Sequence, residues 1–120
     1  MKRRYLFVAL GIAALAFVLT GCVTQGEEVR VSLREWKLET RDARRAPGEM
    51  VFLVSNNGAL AHAFRIEGPG VQRQTRTIEP GGSDVLSVRL ERGTYELFCP
   101  LDRHKDRGLA VRLQVGEPQP

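Results

Sequence analysis

Beyond residue 28, the sequence predicts an all-β sandwich of about seven to eight strands with Greek-key connections. No segment there repeats apolar residues at positions i, i+3 and i+4 over several turns, so a long amphipathic helix is excluded. Turn-forming clusters of Gly, Pro and Asn recur every eight to twelve residues, with short apolar or alternating runs between them. This spacing is typical of short strands packed in two sheets.

The first half of this region gives three predicted strands. Apolar and polar residues alternate over residues 29–33, and the apolar parity then shifts at Trp36, which we interpret as a bulge near residues 34–35. A continuous apolar run covers residues 50–54 and ends at an Asn-Asn-Gly turn. The next strand is expected over residues 61–66.

The second half gives four more predicted strands, over residues 72–78, 84–90, 94–99 and 109–115. The alternation in each of the longer runs places one apolar face toward a core. We expect the aromatic residues Trp36 and Tyr95 to be part of that core.

A cleaved signal peptide is predicted over residues 1–21. Three basic residues precede an apolar stretch over residues 6–19, and Leu19-Thr20-Gly21-Cys22 resembles the bacterial lipobox, whose cysteine receives lipid. A transmembrane helix is a poorer interpretation, because the stretch is shorter than the ~20 residues that a span needs. A disulfide from Cys22 to Cys99, the only other cysteine, is the remaining alternative.

Cleavage would leave a lipidated Cys22 with a short linker over residues 22–28, one domain over residues 29–116, and a tail over residues 117–120. The chain has 18 Lys and Arg against 14 Asp and Glu, and three of the basic residues belong to the leader. The nearly balanced remainder gives no reason to expect a nucleic-acid partner. We expect a monomer in the cell envelope, held by its lipid at the extracytoplasmic face of a bacterial membrane.

One cysteine and two histidines form a candidate metal site. Cys99 and His104 lie five residues apart in the loop before the last predicted strand, and His62 lies upstream, near the start of another strand. A thiolate with two imidazoles suits copper, because a trigonal set compromises between the geometries that Cu(II) and Cu(I) prefer. Taken singly, each residue also fits an ordinary core cysteine or a surface histidine.

Several short motifs between residues 47 and 108 occur in a characteristic order. They are Pro47-Gly48-Glu49, Asn56-Asn57-Gly58, His62-Ala63-Phe64-Arg65-Ile66, Ile78-Glu79-Pro80-Gly81-Gly82-Ser83, Gly93-Thr94-Tyr95-Glu96-Leu97-Phe98-Cys99-Pro100, and His104 with Gly108 after it. On these motifs, the region from residue 29 to 115 resembles the cupredoxins, a family of small blue copper proteins. The resemblance implies one copper ion with His62, Cys99 and His104 as equatorial ligands, and His104 at the surface as the electron port.

The chain departs from the family pattern at two positions. The resemblance places an axial Met at position 109, where this chain has Leu109, which cannot ligate. A missing donor destabilises Cu(II) and raises the reduction potential; an axial water or backbone carbonyl, or a decayed site, are the alternatives. Many members of the family have Asn at the position of Ala63, so here only the backbone N–H of this residue is left to donate to the sulfur. Pro100 has no backbone N–H and adds no second donor. Fewer hydrogen bonds to the thiolate would partly oppose the effect of Leu109.

Together these features predict an anchored type 1 copper protein that moves single electrons between membrane-associated partners such as a cytochrome or a copper oxidase. The sequence shows no catalytic triad, phosphate loop or paired carboxylates, so we do not expect an enzyme. A copper carrier or sensor and a copper-free scaffold are the alternatives. The charged residues around His104 form either a solvated loop or a docking rim; they are Asp102, Arg103, Lys105, Asp106 and Arg107.

Overall fold

A computed structural model describes residue 21 and residues 25–116, which form nine β-strands. The strands are β1 (Glu27–Arg34), β2 (Lys37–Thr40), β3 (Arg44–Arg45), β4 (Gly48–Asn56), β5 (Arg65–Gly68), β6 (Val71–Gln74), β7 (Ser83–Leu90), β8 (Gly93–Phe98) and β9 (Ala110–Val115). The predicted leader (apart from Gly21), Cys22 and the tail lie outside the described residues. Within the described part, no helix is long and apolar enough to span a bilayer.

The strands form two mixed sheets, so the prediction of an all-β sandwich is confirmed, with nine strands instead of seven to eight. One sheet has the order β2-β1-β4-β7 and the other has the order β3-β9-β8-β5-β6. The pairs β1–β4 and β3–β9 are parallel and the other pairs are antiparallel. Because β8 lies between β9 and β5, the segments that follow β8 and precede β5 meet at one end of that sheet.

The core lies between the sheets and follows the predicted alternation. In β7, Leu86, Val88 and Leu90 are buried, whereas the residues between them are exposed. Across the interface the rings of Phe52 and Phe64 lie 5.1 Å apart. Each such buried side chain contributes about 1.5–3 kcal/mol through the hydrophobic effect, and this core keeps the strand ends in fixed positions.

Tyr95 is a core aromatic, as predicted. Its ring is fully buried, and its hydroxyl accepts a hydrogen bond from the Glu91 N–H and donates one to the Glu91 carbonyl. The polar end of the side chain is therefore satisfied, and its burial costs little.

The parity shift at Trp36 marks a turn, so the bulge predicted near residues 34–35 is wrong. Arg34 pairs with Lys37 across the antiparallel β1–β2 ladder, which makes Glu35 and Trp36 the two residues of a tight hairpin turn. A chain reversal and a single inserted residue shift an apolar pattern in the same way. No Gly, Pro or Asn at these two positions marks the reversal in the sequence.

The strand predicted over residues 61–66 begins later than expected, at Arg65. His62 lies before it, in an isolated bridge whose two backbone hydrogen bonds join His62 to Ile78. Between the bridge and β5, the Phe64 N–H donates to the Thr75 hydroxyl, a side chain that replaces a ladder partner. The alternation of residues 72–78 likewise covers the shorter strand β6 and this bridge.

Candidate metal centre

The structure brings the three predicted ligand residues together at one end of the sandwich. Cys99 follows β8 directly, His62 lies in the bridge before β5, and His104 precedes a single 3₁₀ turn, Lys105–Arg107. Their ligand atoms all lie within 4.8 Å of one another. The exposed fractions are 0% for His62, 1% for Cys99 and 7% for His104, so the group is nearly closed to solvent.

The three facing atoms are the Nδ1 atoms of His62 and His104 and the sulfur of Cys99. The two nitrogens are 3.1 Å apart, and the sulfur lies 3.9 Å from His62 Nδ1 and 3.5 Å from His104 Nδ1. A point equally distant from all three atoms lies about 2.1 Å from each, close to the ~2.0–2.3 Å of metal–nitrogen and metal–sulfur bonds. The group therefore fits a single ion bound by one thiolate and two imidazoles, the donor set that suits copper.

Backbone hydrogen bonds fix the loop that carries Cys99 and His104. The Cys99 N–H donates to the Leu109 carbonyl at 3.0 Å, and the Leu109 N–H donates to the His104 carbonyl at 3.1 Å. The His104 N–H donates to the Leu101 carbonyl at 2.7 Å, closing a tight turn. Backbone hydrogen bonds within the loop therefore hold the Cys99 and His104 side chains in position.

Asn56 fixes the loop that carries His62, a role that the sequence analysis did not assign to it. Its fully buried side chain donates to the carbonyls of Leu60 and Ile78, both at 2.8 Å, and accepts from the Gly58 N–H at 3.0 Å. All of its hydrogen-bonding groups are therefore used, as a buried amide requires. The Asn-Asn-Gly pattern predicts the turn. It does not predict the hydrogen-bond partners of the Asn56 side chain, which lie up to 22 residues away in the sequence.

The sulfur of Cys99 accepts the backbone hydrogen bond expected from Ala63, with the nitrogen 3.4 Å from the sulfur. Among the described residues, Cys99 is a free cysteine; Cys22, its alternative disulfide partner, lies outside them. Ala63 is itself buried, so the N–H that reaches the sulfur is shielded from water.

Glu35 supports His62 from outside the group, and sequence reasoning missed it. Its carboxylate lies 2.9 Å from His62 Nε2 and accepts hydrogen bonds from the N–H groups of Ala59 and Leu60. The Ala59 and Leu60 bonds lower the pKa of Glu35 from 4.5 to about 2. An ionised carboxylate only accepts hydrogen bonds, so His62 carries its proton on Nε2 and leaves Nδ1 free to ligate.

Trp36 is half-buried and forms a wall of the site, so its prediction as a core aromatic is only partly correct. Its ring meets the His104 ring edge-on, with centroids 5.1 Å apart, and the Arg107 guanidinium lies 4.6 Å from its centroid on the solvent side. The turn position of Trp36 explains this placement, because the pairing of Leu33 with Asn56 puts the β1–β2 turn at the end of the sandwich where the His62 loop begins.

His104 is more enclosed than its predicted surface position implies. Burial lowers the pKa of His104, and the neighbouring His62 lowers it further. Both effects favour the neutral imidazole, which is the form that binds metals.

Leu109 is fully buried and belongs to the core cluster that includes Cys99. Its hydrocarbon side chain offers no donor at the position where the resemblance places an axial ligand. Met50 is buried in β4 as part of the same core cluster. Among residues 25–116, the only group of three or more His, Cys, Asp or Glu side chains placed to hold an ion is His62, Cys99 and His104.

The charged residues around His104 are all exposed, as expected of a solvated loop. Two of them nevertheless make specific contacts: Arg107 stacks on Trp36, and Lys105 pairs with Glu96 and lies 4.3 Å from the centre of the Phe98 ring. These contacts attach the loop to β8 and to the β1–β2 turn.

No protein-family model and no curated protein sequence matches the chain. Among solved structures, dithionite-reduced auracyanin from the photosynthetic bacterium Roseiflexus castenholzii superimposes with a TM-score of 0.64 at 15% identity, covering 78% of this chain and 100% of auracyanin. The chain has the cupredoxin fold. Auracyanin B matches at a TM-score of 0.61 and 16% identity, over 78% of this chain and 90% of that one. A multicopper oxidase from Campylobacter jejuni matches at 0.62 and 14% identity, but the aligned region is 31% of the oxidase.

Proposed function

We propose that this protein is a type 1 copper protein that transfers single electrons. The observation that carries the proposal is the buried triangle of one sulfur and two nitrogens, whose sides of 3.1 to 3.9 Å enclose a point at bonding distance from each atom. Copper, when bound there, would supply a Cu(II)/Cu(I) couple.

The surroundings of the site support electron transfer over copper delivery. Hydrogen bonds from outside the group already orient His62 and Cys99, the Trp36 ring packs against His104, and none of the three side chains is more than 7% exposed. A fixed ligand set suits a redox couple, because little has to move when the charge changes. Release of the ion to another protein would require an opening of the ligand loop, which three backbone hydrogen bonds hold closed.

His104 is the proposed exit for the electron. It retains the largest exposed fraction of the three side chains, and its ring contacts the half-buried ring of Trp36. A partner that docks at this end of the sandwich would come closest to the ion through these two rings.

The second candidate function is a carrier or sensor that binds Cu(I) and passes it on. One feature favours it: Leu109 provides no axial donor, and a three-coordinate site of soft character suits Cu(I). This candidate predicts rapid loss of copper to a competing chelator and no reversible voltammetry.

We further propose that lipid on Cys22 anchors the monomeric protein to the extracytoplasmic face of a bacterial membrane. The sequence Leu19-Thr20-Gly21-Cys22 and the short linker before β1 support this placement. A domain so close to the bilayer would exchange electrons with membrane-associated partners, such as a cytochrome or a copper oxidase.

The test uses the full chain, expressed with its leader and purified in detergent from bacterial membranes. Loading with Cu(II) should give an intense visible thiolate-to-copper band and a reversible one-electron voltammogram, and Cys99→Ser should abolish both. A colourless adduct in the unsubstituted protein would contradict the electron-carrier proposal. Mass spectrometry of the purified protein should show a lipid-modified N-terminal Cys22, and Cys22→Ser should lose this modification without changing the visible spectrum; an unmodified Cys22 in the unsubstituted protein would contradict lipid anchoring.

A further inference from the structure

The β1–β2 turn places two consecutive residues against the two histidine ligands. Glu35 accepts the hydrogen bond of His62 Nε2 at 2.9 Å, and the Trp36 ring packs against the His104 ring at 5.1 Å. We propose that this turn is a clamp that positions both imidazoles, and that the Glu35 charge stabilises Cu(II) relative to Cu(I). The second part rests on the proposed copper function, whereas the first part does not.

The carboxylate of Glu35 is itself held in place by backbone hydrogen bonds from one loop. The N–H groups of Ala59 and Leu60 donate to it at distances of 2.8 to 3.0 Å, and these residues belong to the loop that leads into His62. The carboxylate therefore ties the turn to this loop and fixes the His62 ring at the same time. Because the Oε1 atom of Glu35 accepts the hydrogen bond of Nε2, the unprotonated ring nitrogen of His62 is Nδ1, which faces the sulfur and the other histidine.

Trp36 acts on His104 by packing. The indole contacts the His104 ring edge-on, and the Arg107 guanidinium lies over the indole ring. The His104 ring has the His62 ring on another side, with centroids 5.0 Å apart. These neighbours limit the orientations that the ring can adopt.

Two glycines leave space for the clamp. A Cβ at Gly58 would come within 2.5 Å of the Glu35 carboxylate, and a Cβ at Gly108 would come within 2.6 Å of the Trp36 carbonyl oxygen. Gly108 also has a φ of +119°, in the region that favours glycine. Both ligand loops therefore have their smallest residue where the turn approaches them.

The Glu35 charge should affect the reduction potential in the direction opposite to Leu109. A carboxylate hydrogen-bonded to a ligand increases the basicity of that imidazole, which favours the more highly charged ion. The absent axial donor at Leu109 favours Cu(I). In Glu35→Gln the hydrogen-bond acceptor is retained and the charge is lost, so the effect of the charge can be measured by itself.

The first experiment needs no metal and records the ring tautomers by ¹⁵N NMR of the full chain in detergent. His62 should be a single tautomer with its proton on Nε2 in the unsubstituted protein and in Glu35→Gln, whereas Glu35→Ala should populate both tautomers. The control Glu39→Gln removes an exposed carboxylate from the neighbouring strand, where it pairs with Lys37, and should leave the spectrum unchanged. An unchanged His62 tautomer in Glu35→Ala would overturn the positioning role.

The second experiment measures the reduction potential of the copper-loaded variants. Glu35→Gln should weaken Cu(II) binding relative to Cu(I) about tenfold, which raises the potential by about 59 mV for one electron; Glu39→Gln should not shift it. Equal potentials for Glu35→Gln and Glu39→Gln would overturn the charge effect. If the unsubstituted protein shows no blue band, the proposed function fails, and the tautomer measurement still decides whether Glu35 positions His62.

The Trp36 half of the clamp has its own variants. Trp36→Ala should broaden or shift the His104 ring signals in the metal-free protein, and Trp36→Phe, which retains an aromatic edge, should restore them. His62 signals should respond less than His104 signals in both variants. Unaltered His104 signals in a folded Trp36→Ala protein would overturn this half of the proposal.

Discussion

The two imidazoles of the candidate site have contrasting surroundings. His62 is fully buried and hydrogen-bonded to a carboxylate, whereas His104 is 7% exposed and packed against an indole. His62 is fixed through a charged hydrogen bond from a turn 27 residues away in sequence, and His104 is fixed through its own short loop and an aromatic neighbour. The His62 side of the site therefore controls charge and ring orientation, whereas the His104 side gives access to the ion.

The largest difference is expected from removing each ring in turn. His62→Gly and His104→Gly should both lose the visible band, because each leaves one nitrogen donor. Added imidazole should restore the band in His104→Gly, since that site borders solvent, and should fail to restore it in His62→Gly, whose cavity is closed. Titration of both copper-loaded variants with imidazole checks this, and equal rescue would show that the two sides are equally accessible.

A donor at position 109 should act on both sides of the site together. In Leu109→Met the thioether should stabilise Cu(II) and shift the relative affinity for the two oxidation states about tenfold, which lowers the potential by about 59 mV. The matched control is Leu113→Met in β9, an equally buried leucine of the core. Both exchanges conserve volume and should cost less than about 1.5 kcal/mol of stability. An equal potential in the two variants would place residue 109 away from the ion.

Acid should weaken the His62 side through Glu35. The pKa of Glu35 is about 2 in the folded protein against 4.5 for the free group, so its stabilising contribution is complete above pH 4.5 and is lost as the pH falls toward 2. The difference in unfolding free energy between the metal-free protein and Glu35→Gln should therefore narrow over this range. Chemical denaturation at several pH values measures it. A constant difference in unfolding free energy from pH 6 to pH 2 would mean that folding does not lower the pKa of Glu35.

The smallest effect is expected from the outermost residue on the His104 side. Arg107→Gln removes an exposed cation–π contact with Trp36 and should cost about 0.5–1 kcal/mol of stability. Trp36 is the only Trp in the chain, so its fluorescence should report the change. Arg103→Gln, an exposed arginine of the same loop, is the control and should leave the fluorescence unchanged. Matching spectra of the two variants would show that Arg107 does not cover the indole.

The sequence predicts the sandwich well because the pattern is local. The alternation in β7 and β9 and the turns between strands depend on neighbouring residues, and these elements form close to the expected bounds. The ligand triangle is also predictable, since Cys99 and His104 lie in one short loop and His62 is the only other histidine.

The surroundings of the ligands are less predictable because they depend on long-range pairing. In the sequence, nothing distinguishes Glu35 from an ordinary surface acid. Only the pairing of Arg34 with Lys37 puts it at the tip of a hairpin that faces His62. A bulge at the parity shift would not bring Glu35 and Trp36 to the histidines, so their contacts with His62 and His104 are not predicted from the sequence. A tight turn with no Gly, Pro or Asn becomes visible only when the two strands are seen to pair.

Copper K-edge X-ray absorption of the copper-loaded full chain tests the central claim most directly. We predict two nitrogen neighbours and one sulfur neighbour at about 2.0–2.3 Å, with the sulfur contribution lost in Cys99→Ser. A first shell of nitrogen and oxygen atoms only, in the unsubstituted protein, would contradict the claim that Cys99 and the two histidines hold one ion.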